Sequence, residues 1–178
     1  LFNPSLGPRE PRRGPGGRSP FMPQPPPSEP KGEIHKLMDA IGVYWPADDV
    51  IWDTWNPHPE MQDLPPEFVF VGPGGGNPRA FNPSDPVSAG LQEMVLLCGG
   101  RLEPRGADLA LRFTPLLTTT HRSGTLPSGE VLNRSFFGIG GFNPGRLHRR
   151  GPGEYKLAAR VQGPAPAEPP KEEKDKKD

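Results

Sequence analysis

The chain has 178 residues, equal numbers of basic and acidic side chains (21 each), one cysteine, and an unusual load of 28 prolines and 23 glycines. A single cysteine excludes an internal disulfide and any zinc site built from several thiolates. The charge balance speaks against nucleic acid as a partner, because such binders carry a basic excess that neutralises phosphate.

Residues 1–31 are expected to be a disordered Pro/Gly/Arg-rich linker, since the stretch from Gly14 to Pro30 offers almost nothing to bury against the entropy of ordering. Order is expected over residues 32–163. Ile34, Leu37, Met38 and Ile41 recur at helical spacing and predict a helix with one apolar face, stopped by Gly42, with His35 on the solvent side. Val50-Ile51-Trp52 predicts a short strand over 50–53, and Asn56-Pro57-His58-Pro59 an irregular turn. Glu67 to Val71 is apolar on both faces, which suits a buried strand of a parallel sheet. Gly72 to Gly76 reads as a flexible loop. Asp85 can cap a short helix with Pro86 in its first turn, turning Val87 and Leu91 inward. Met94 to Cys98 reads as extended and is broken by Gly99-Gly100. A further strand is expected over Leu109 to Thr119, with Pro115 placing it at a sheet edge. Residues 121–152, rich in Gly, Pro, Arg and Asn, read as a long excursion, and Glu154 to Val161 as a closing strand. Residues 164–178 form a charged tail, expected to be disordered. Phe-Asn-Pro recurs at 2–4, 81–83 and 142–144, with Trp55-Asn56-Pro57 as a variant; the irregular spacing indicates turn chemistry rather than a structural repeat.

The residues give little sign of catalysis. The glycines at 72–76 follow a strand, but a phosphate-binding loop needs a Gly-Lys-Ser/Thr or a third fingerprint glycine, and Asn77-Pro78 stands there instead. Cys98 follows an apolar strand as a nucleophile would, yet Leu96-Leu97 before it are too large for a nucleophile elbow, and Pro104 and Gly106 disfavour the helix that should follow; a buried structural thiol is expected. His35, His58, His121 and His148 show no metal-ligand spacing. Asp48/Asp49 and Glu172/Glu173 are adjacent in sequence and so diverge rather than converge. Asn133-Arg134-Ser135 matches a glycosylation acceptor, a triplet common by chance. The aromatics Tyr44, Trp45, Trp52 and Trp55 either pack in the core beside the first helix or form an exposed patch, in which case Trp45, Trp52 and Trp55 are the candidate partner contacts.

Two stretches together carry a family resemblance. One runs from Gly32 to Val71, through Leu37-Met38, Ile41-Gly42-Val43, Val50 to Asp53, Asn56-Pro57 and Pro66 to Val71. The other comprises Phe81-Asn82-Pro83, Asp85 to Glu93, Phe113 to Thr119 and Tyr155 to Val161. Over about residues 30–163 this resembles the auxiliary component of gliding-motility-type ABC transporters, in the long form of planctomycete-like bacteria. The resemblance implies a partial α/β domain, Rossmann-like in the manner of glutamine amidotransferases, with a mainly parallel sheet and without their catalytic residues. It implies a non-enzymatic extracytoplasmic (periplasmic) domain of a membrane-anchored parent, working with an ABC permease and ATPase on separate chains. No catalytic residue, cofactor or metal ligand is carried over. No apolar run here approaches the roughly 20 residues that cross a bilayer, so the anchor is expected in parts of the parent outside this segment; the start at Leu1, with no signal-peptide pattern, is read as that of a fragment. Two other functions are compatible with the residues: a carbohydrate- or peptide-binding module using the aromatics at 44–55 and the 121–152 region, and an amidotransferase-like hydrolase relative using Cys98.

Overall fold

The computed structural model describes residues 33–106, 110–135 and 138–164; both expected linkers therefore lie almost wholly outside the described residues, as does the Phe-Asn-Pro at 2–4. The helix α1 spans Ile34–Ala40, and ten short strands follow: β1 (Val43–Tyr44), β2 (Asp49–Asp53), β3 (Phe68–Val71), β4 (Met94–Leu97), β5 (Glu103–Pro104), β6 (Arg112–Thr118), β7 (Ser123–Pro127), β8 (Leu132–Ser135), β9 (Gly138–Phe142) and β10 (Lys156–Gln162). One further turn of helix, α2 (Ser128–Val131), lies between β7 and β8.

The strands associate as five antiparallel pairs, β1 with β5, β2 with β7, β3 with β4, β6 with β10, and β8 with β9. The mainly parallel, Rossmann-like sheet expected from the sequence is thus corrected: among the described residues no strand pair is parallel. The physical reason lies in β3. A strand apolar on both faces reports burial, not direction. Val69 and Val71 enter one core cluster, while the Phe68 and Phe70 rings on the opposite face meet Phe142 at 6.2 Å and His58 at 5.4 Å. Irregular segments do the covering that crossover helices do in a parallel sheet.

β2 is the central element. Its alternation sends Ile51 into a cluster with Val69, Val71, Phe81, Leu96, Leu116 and Leu157. Val50 and Trp52 go to the other side, joining Cys98, Leu126 and Val131. Three backbone bonds tie β2, β3 and β4 together beyond their pairing: Ile51 N–H to Gly99 O (2.8 Å), Asp53 N–H to Pro66 O (2.9 Å) and Cys98 N–H to Glu67 O (2.8 Å). Pro115 sits inside β6, where the register shifts between Ala158 and Ala159 on its partner strand; a proline tolerates such an irregularity because it has no ladder N–H to lose.

Several expectations need revision. The 121–152 region is not a mere excursion: it supplies β7, which completes β2, and the β8–β9 hairpin. Gly124 is required there because a Cβ would lie 2.6 Å from the Trp52 ring and against the Arg149 carbonyl. The glycine loop is also not loose. Pro73–Gly75 form a 3₁₀ turn pressed on Trp55, and a Cβ on Gly72 or Gly75 would come within 2.7 Å or 2.9 Å of that indole. Residues 86–90 form turns rather than a helix, and Val87 is exposed.

The Asn-Pro turns share one construction. In each, the asparagine Oδ1 accepts the N–H two residues on, as in an Asx-turn: His58 from Asn56, Arg79 from Asn77, Ser84 from Asn82 and Gly145 from Asn143. The proline between them is restricted to the turn-compatible φ. The Nδ2 of each donates to a more distant carbonyl: Met61, Thr119, Pro115 and Glu130 in turn. Asp85-Pro86 repeats the device with a carboxylate, accepting Val87 N–H on one oxygen and facing Arg160 at 2.8 Å with the other. The recurrence seen in the sequence is therefore a set of clamps that fix loops to the sheet.

Candidate functional site

Two polar constellations stand out, one buried and one open. The buried one is centred on Glu67, whose side chain is 0 % exposed at the entrance to β3. Arg146 grips it with two bonds, Nε to Oε1 at 2.5 Å and Nη2 to Oε2 at 3.1 Å, the bidentate geometry that guanidinium and carboxylate favour. His148 donates from Nε2 to Oε1 at 2.8 Å. Arg146 is itself held by the Asn143 carbonyl (2.7 Å) and lies 4.9 Å over the Phe142 ring. Burial pushes the Glu67 carboxyl up, but the bonds from Arg146 and then His148 outweigh it and hold the group below its ordinary value.

Cys98 is close enough for the Glu67 charge to act on it, so a thiol, an imidazole and a carboxylate do gather in one region. They are not assembled for nucleophilic chemistry. The imidazole Nε2 is engaged by the carboxylate, and the thiol, 2 % exposed, is pushed up to about 11 by burial and then by the Glu67 charge. An activated cysteine needs the opposite, a thiolate stabilised by a nearby cation or base. Cys98 does sit at φ 48° after β4, a strained conformation, but its side chain is part of the apolar cluster with Trp52 and Leu126.

The open constellation lies beside α1. Tyr44 and Trp45 follow the helix and line a cleft of about 700 Å³ with His35, Met38, Arg101 and Arg105. Trp45 is half-buried: His35 stacks on it at 5.6 Å and 21°, and a Cβ on Gly100 would stand 2.7 Å from its Nε1. Arg101 bonds Asp49 at 2.9 Å and also Glu103, and Arg105 pairs with Asp39. The helix itself buries nothing. None of its residues is buried; Ile34 is 41 % and Leu37 56 % exposed, and Tyr44 beside them is 45 % exposed. The predicted helix is present, with Gly42 at φ 67° just beyond it, but of the inward-facing stripe expected of it Ile34 and Leu37 are exposed and Met38 and Ile41 only half-buried.

The three candidate contact residues part company. Trp52 is 3 % exposed in the core, edge-on to His148 at 5.2 Å, and presents no face to a partner. Trp55 packs on the glycine turn and lines a small cleft of about 230 Å³ with Gln62 and Phe68. Trp45 alone joins an open aromatic surface. Sequence reasoning missed Glu67, Arg146 and His148. The one available signal was an acid leading directly into a strand with no polar residue, where its charge would need compensation.

Among the described residues no group of three or more His, Cys, Asp or Glu side chains could hold a metal ion, and no helix is long and apolar enough to cross a membrane. No curated protein and no solved structure matches the chain. A family model, described as an ABC-type uncharacterized transport system, matches residues 10–178, nearly the whole sequence and all of the structure described above. The ordered motif series, read earlier as a resemblance, has its explanation there: the chain belongs to the auxiliary-component family of ABC-type transport systems.

Proposed function

We propose that this chain is a non-catalytic interaction domain on the extracytoplasmic face of a membrane-anchored parent of gliding-motility type. In this reading α1 and the Tyr44–Trp45 cleft meet the permease, which works with an ATPase on a further chain. The observation that carries the reading is the exposed half of the apolar stripe of α1. An amphipathic helix that leaves half of its stripe exposed is the form in which helical surfaces are offered to partners, and membership of a transport-system family supplies the class of partner. The buried polar groups support it from the other side. Glu67 is neutralised by Arg146 and His148, Asp53 is satisfied by Thr120 and Trp55 N–H, and Cys98 is protonated and enclosed, so none of these is presented as a reactive centre.

The test is site-specific photo-crosslinking from position 37 of the full-length parent in its own membranes. The expected result is an adduct with the permease. A parent that fractionates free of the membrane, or an adduct pattern unchanged when the crosslinker is moved to the buried position 51, would sink the reading. A peptide-binding variant of the same surface is favoured over a sugar site by one detail. Sugars bind aromatics through a free ring face, and His35 already stacks on that of Trp45.

A further inference from the structure

We propose that a second cleft, between the 79–83 loop and the β6–β10 pair, binds a monocarboxylate with a small apolar body. The cleft has a volume of about 530 Å³, within the range of small-ligand sites. Lys156 on β10 stands opposite Thr118 on β6 in the strand register. Both side chains line the cleft, and among the described residues neither the ammonium nor the hydroxyl has a hydrogen-bonding partner. Pro83 and Pro115 supply apolar walls. Their positions are fixed, because the Asn82 amide in the same turn donates to the Pro115 carbonyl at 3.0 Å.

Arg79 completes the site and indicates its chemistry. Its loop is pinned by Asn77, which is 3 % exposed and bonded to the Arg79 N–H and the Thr119 carbonyl. The guanidinium donates from Nη2 to Glu154 Oε2 at 2.6 Å. Both partners are well exposed, at 72 % and 44 %, so this contact is screened and exchangeable, and four of the five guanidinium N–H groups remain for a ligand. Glu154 is held in place by a strained backbone. It is one of two non-glycine residues at positive φ among those described, at 53°. It follows Gly153 at φ 79°, where a Cβ would lie 2.9 Å from His121 Cα. Such strain tends to be kept where it positions a functional group. Glu154 thus shows how the cleft receives a carboxylate, while filling only one side of Arg79.

The charge count sets the ligand class. Arg79 and Lys156 against Glu154 leave one uncompensated positive charge, which one carboxylate neutralises and a phosphate dianion exceeds. The proline walls suit a short apolar body behind that carboxylate. No residue of this cleft belongs to the α1 surface, so the proposal stands apart from the partner reading.

The test is titration of the full chain with benzoate, its neutral isostere benzamide, and inorganic phosphate, following the backbone amide resonances of residues 79, 118, 154 and 156. Benzoate is expected to give a saturable shift at these amides, with benzamide and phosphate at least about tenfold weaker, the size of one lost charged hydrogen bond. Lys156→Gln should weaken benzoate about tenfold. Glu154→Gln removes the competing carboxylate and should tighten it about threefold by the same reasoning; this exposed substitution keeps the test available if Lys156→Gln fails to fold. Equal binding of benzamide or phosphate overturns the proposal, as does unchanged affinity in Lys156→Gln or weaker affinity in Glu154→Gln.

Discussion

β2 and α1 have equally regular apolar patterns and opposite fates. In β2 every residue from Val50 to Asp53 is buried, with side chains alternating between two core clusters. In α1 Ile34 and Leu37 of the stripe are exposed, and a polar contact reaches from the helix to the rest of the chain instead, Asp39 with Arg105. Periodicity states which residues share a face. Whether something covers that face is a separate fact, and in a subunit of an assembly the cover need not come from the same chain.

The widest gap between the two regions should appear at Glu67. Glu67→Ala leaves Arg146, 11 % exposed, without its carboxylate, and is expected to cost about 3–5 kcal/mol in urea denaturation, the usual cost of breaking a buried pair. Glu67→Leu with Arg146→Met removes both charges and should recover a good part of that loss; a double variant as unstable as the sum of the singles would show that the clamp is not one unit. The pH dependence has a definite sign. The folded-state carboxyl is depressed below its ordinary value, so its contribution is complete above that ordinary value and fades as pH falls through the lower, folded one. Glu67→Gln should therefore flatten the acid limb of the stability profile, as followed by urea denaturation below the ordinary carboxylate value.

An intermediate effect is expected at the clamps. Asn77→Ala removes the acceptor for Arg79 N–H and the buried donor to Thr119 O (2.7 Å), at about 1–3 kcal/mol. Thermal melting should show it, together with faster amide exchange at Arg79 and Ala80. A loss as small as that of a surface substitution would show that the turn holds without its side chain. The smallest effect belongs to α1: Leu37→Lys should change the stability of the isolated chain by no more than about 0.5 kcal/mol. A loss of 2 kcal/mol or more, on the scale of a buried leucine, would erase the contrast with β2 and show that the stripe is covered after all.

What the sequence disclosed follows the same division. The strands at 50–53, 94–97 and 156–162 were legible because each is a compact run of strand-forming or apolar residues. Their antiparallel pairing was not, since β3 carries no residue that records direction. β7 escaped notice because it is short and contains Gly124, a residue that reads as loop until the Trp52 ring is seen lying against it. The Glu67 clamp escaped because its partners are 79 and 81 residues further on, beyond any local pattern. Trp45, Trp52 and Trp55 read alike in the sequence as candidate contacts, because nothing local distinguishes Trp45 from Trp52, which the alternation of β2 turns inward.

The Asn-Pro turns have a chemical consequence besides their geometry. Asparagine in proteins degrades chiefly when the backbone nitrogen of the next residue attacks the side-chain amide and closes a succinimide ring. A following proline has no N–H and cannot readily close that ring. Of the six asparagines in the chain, all but Asn133 precede proline. The four that fasten loops to the sheet are therefore shielded from the slow covalent ageing that would convert their donating amides into carboxylates and loosen the loops they hold.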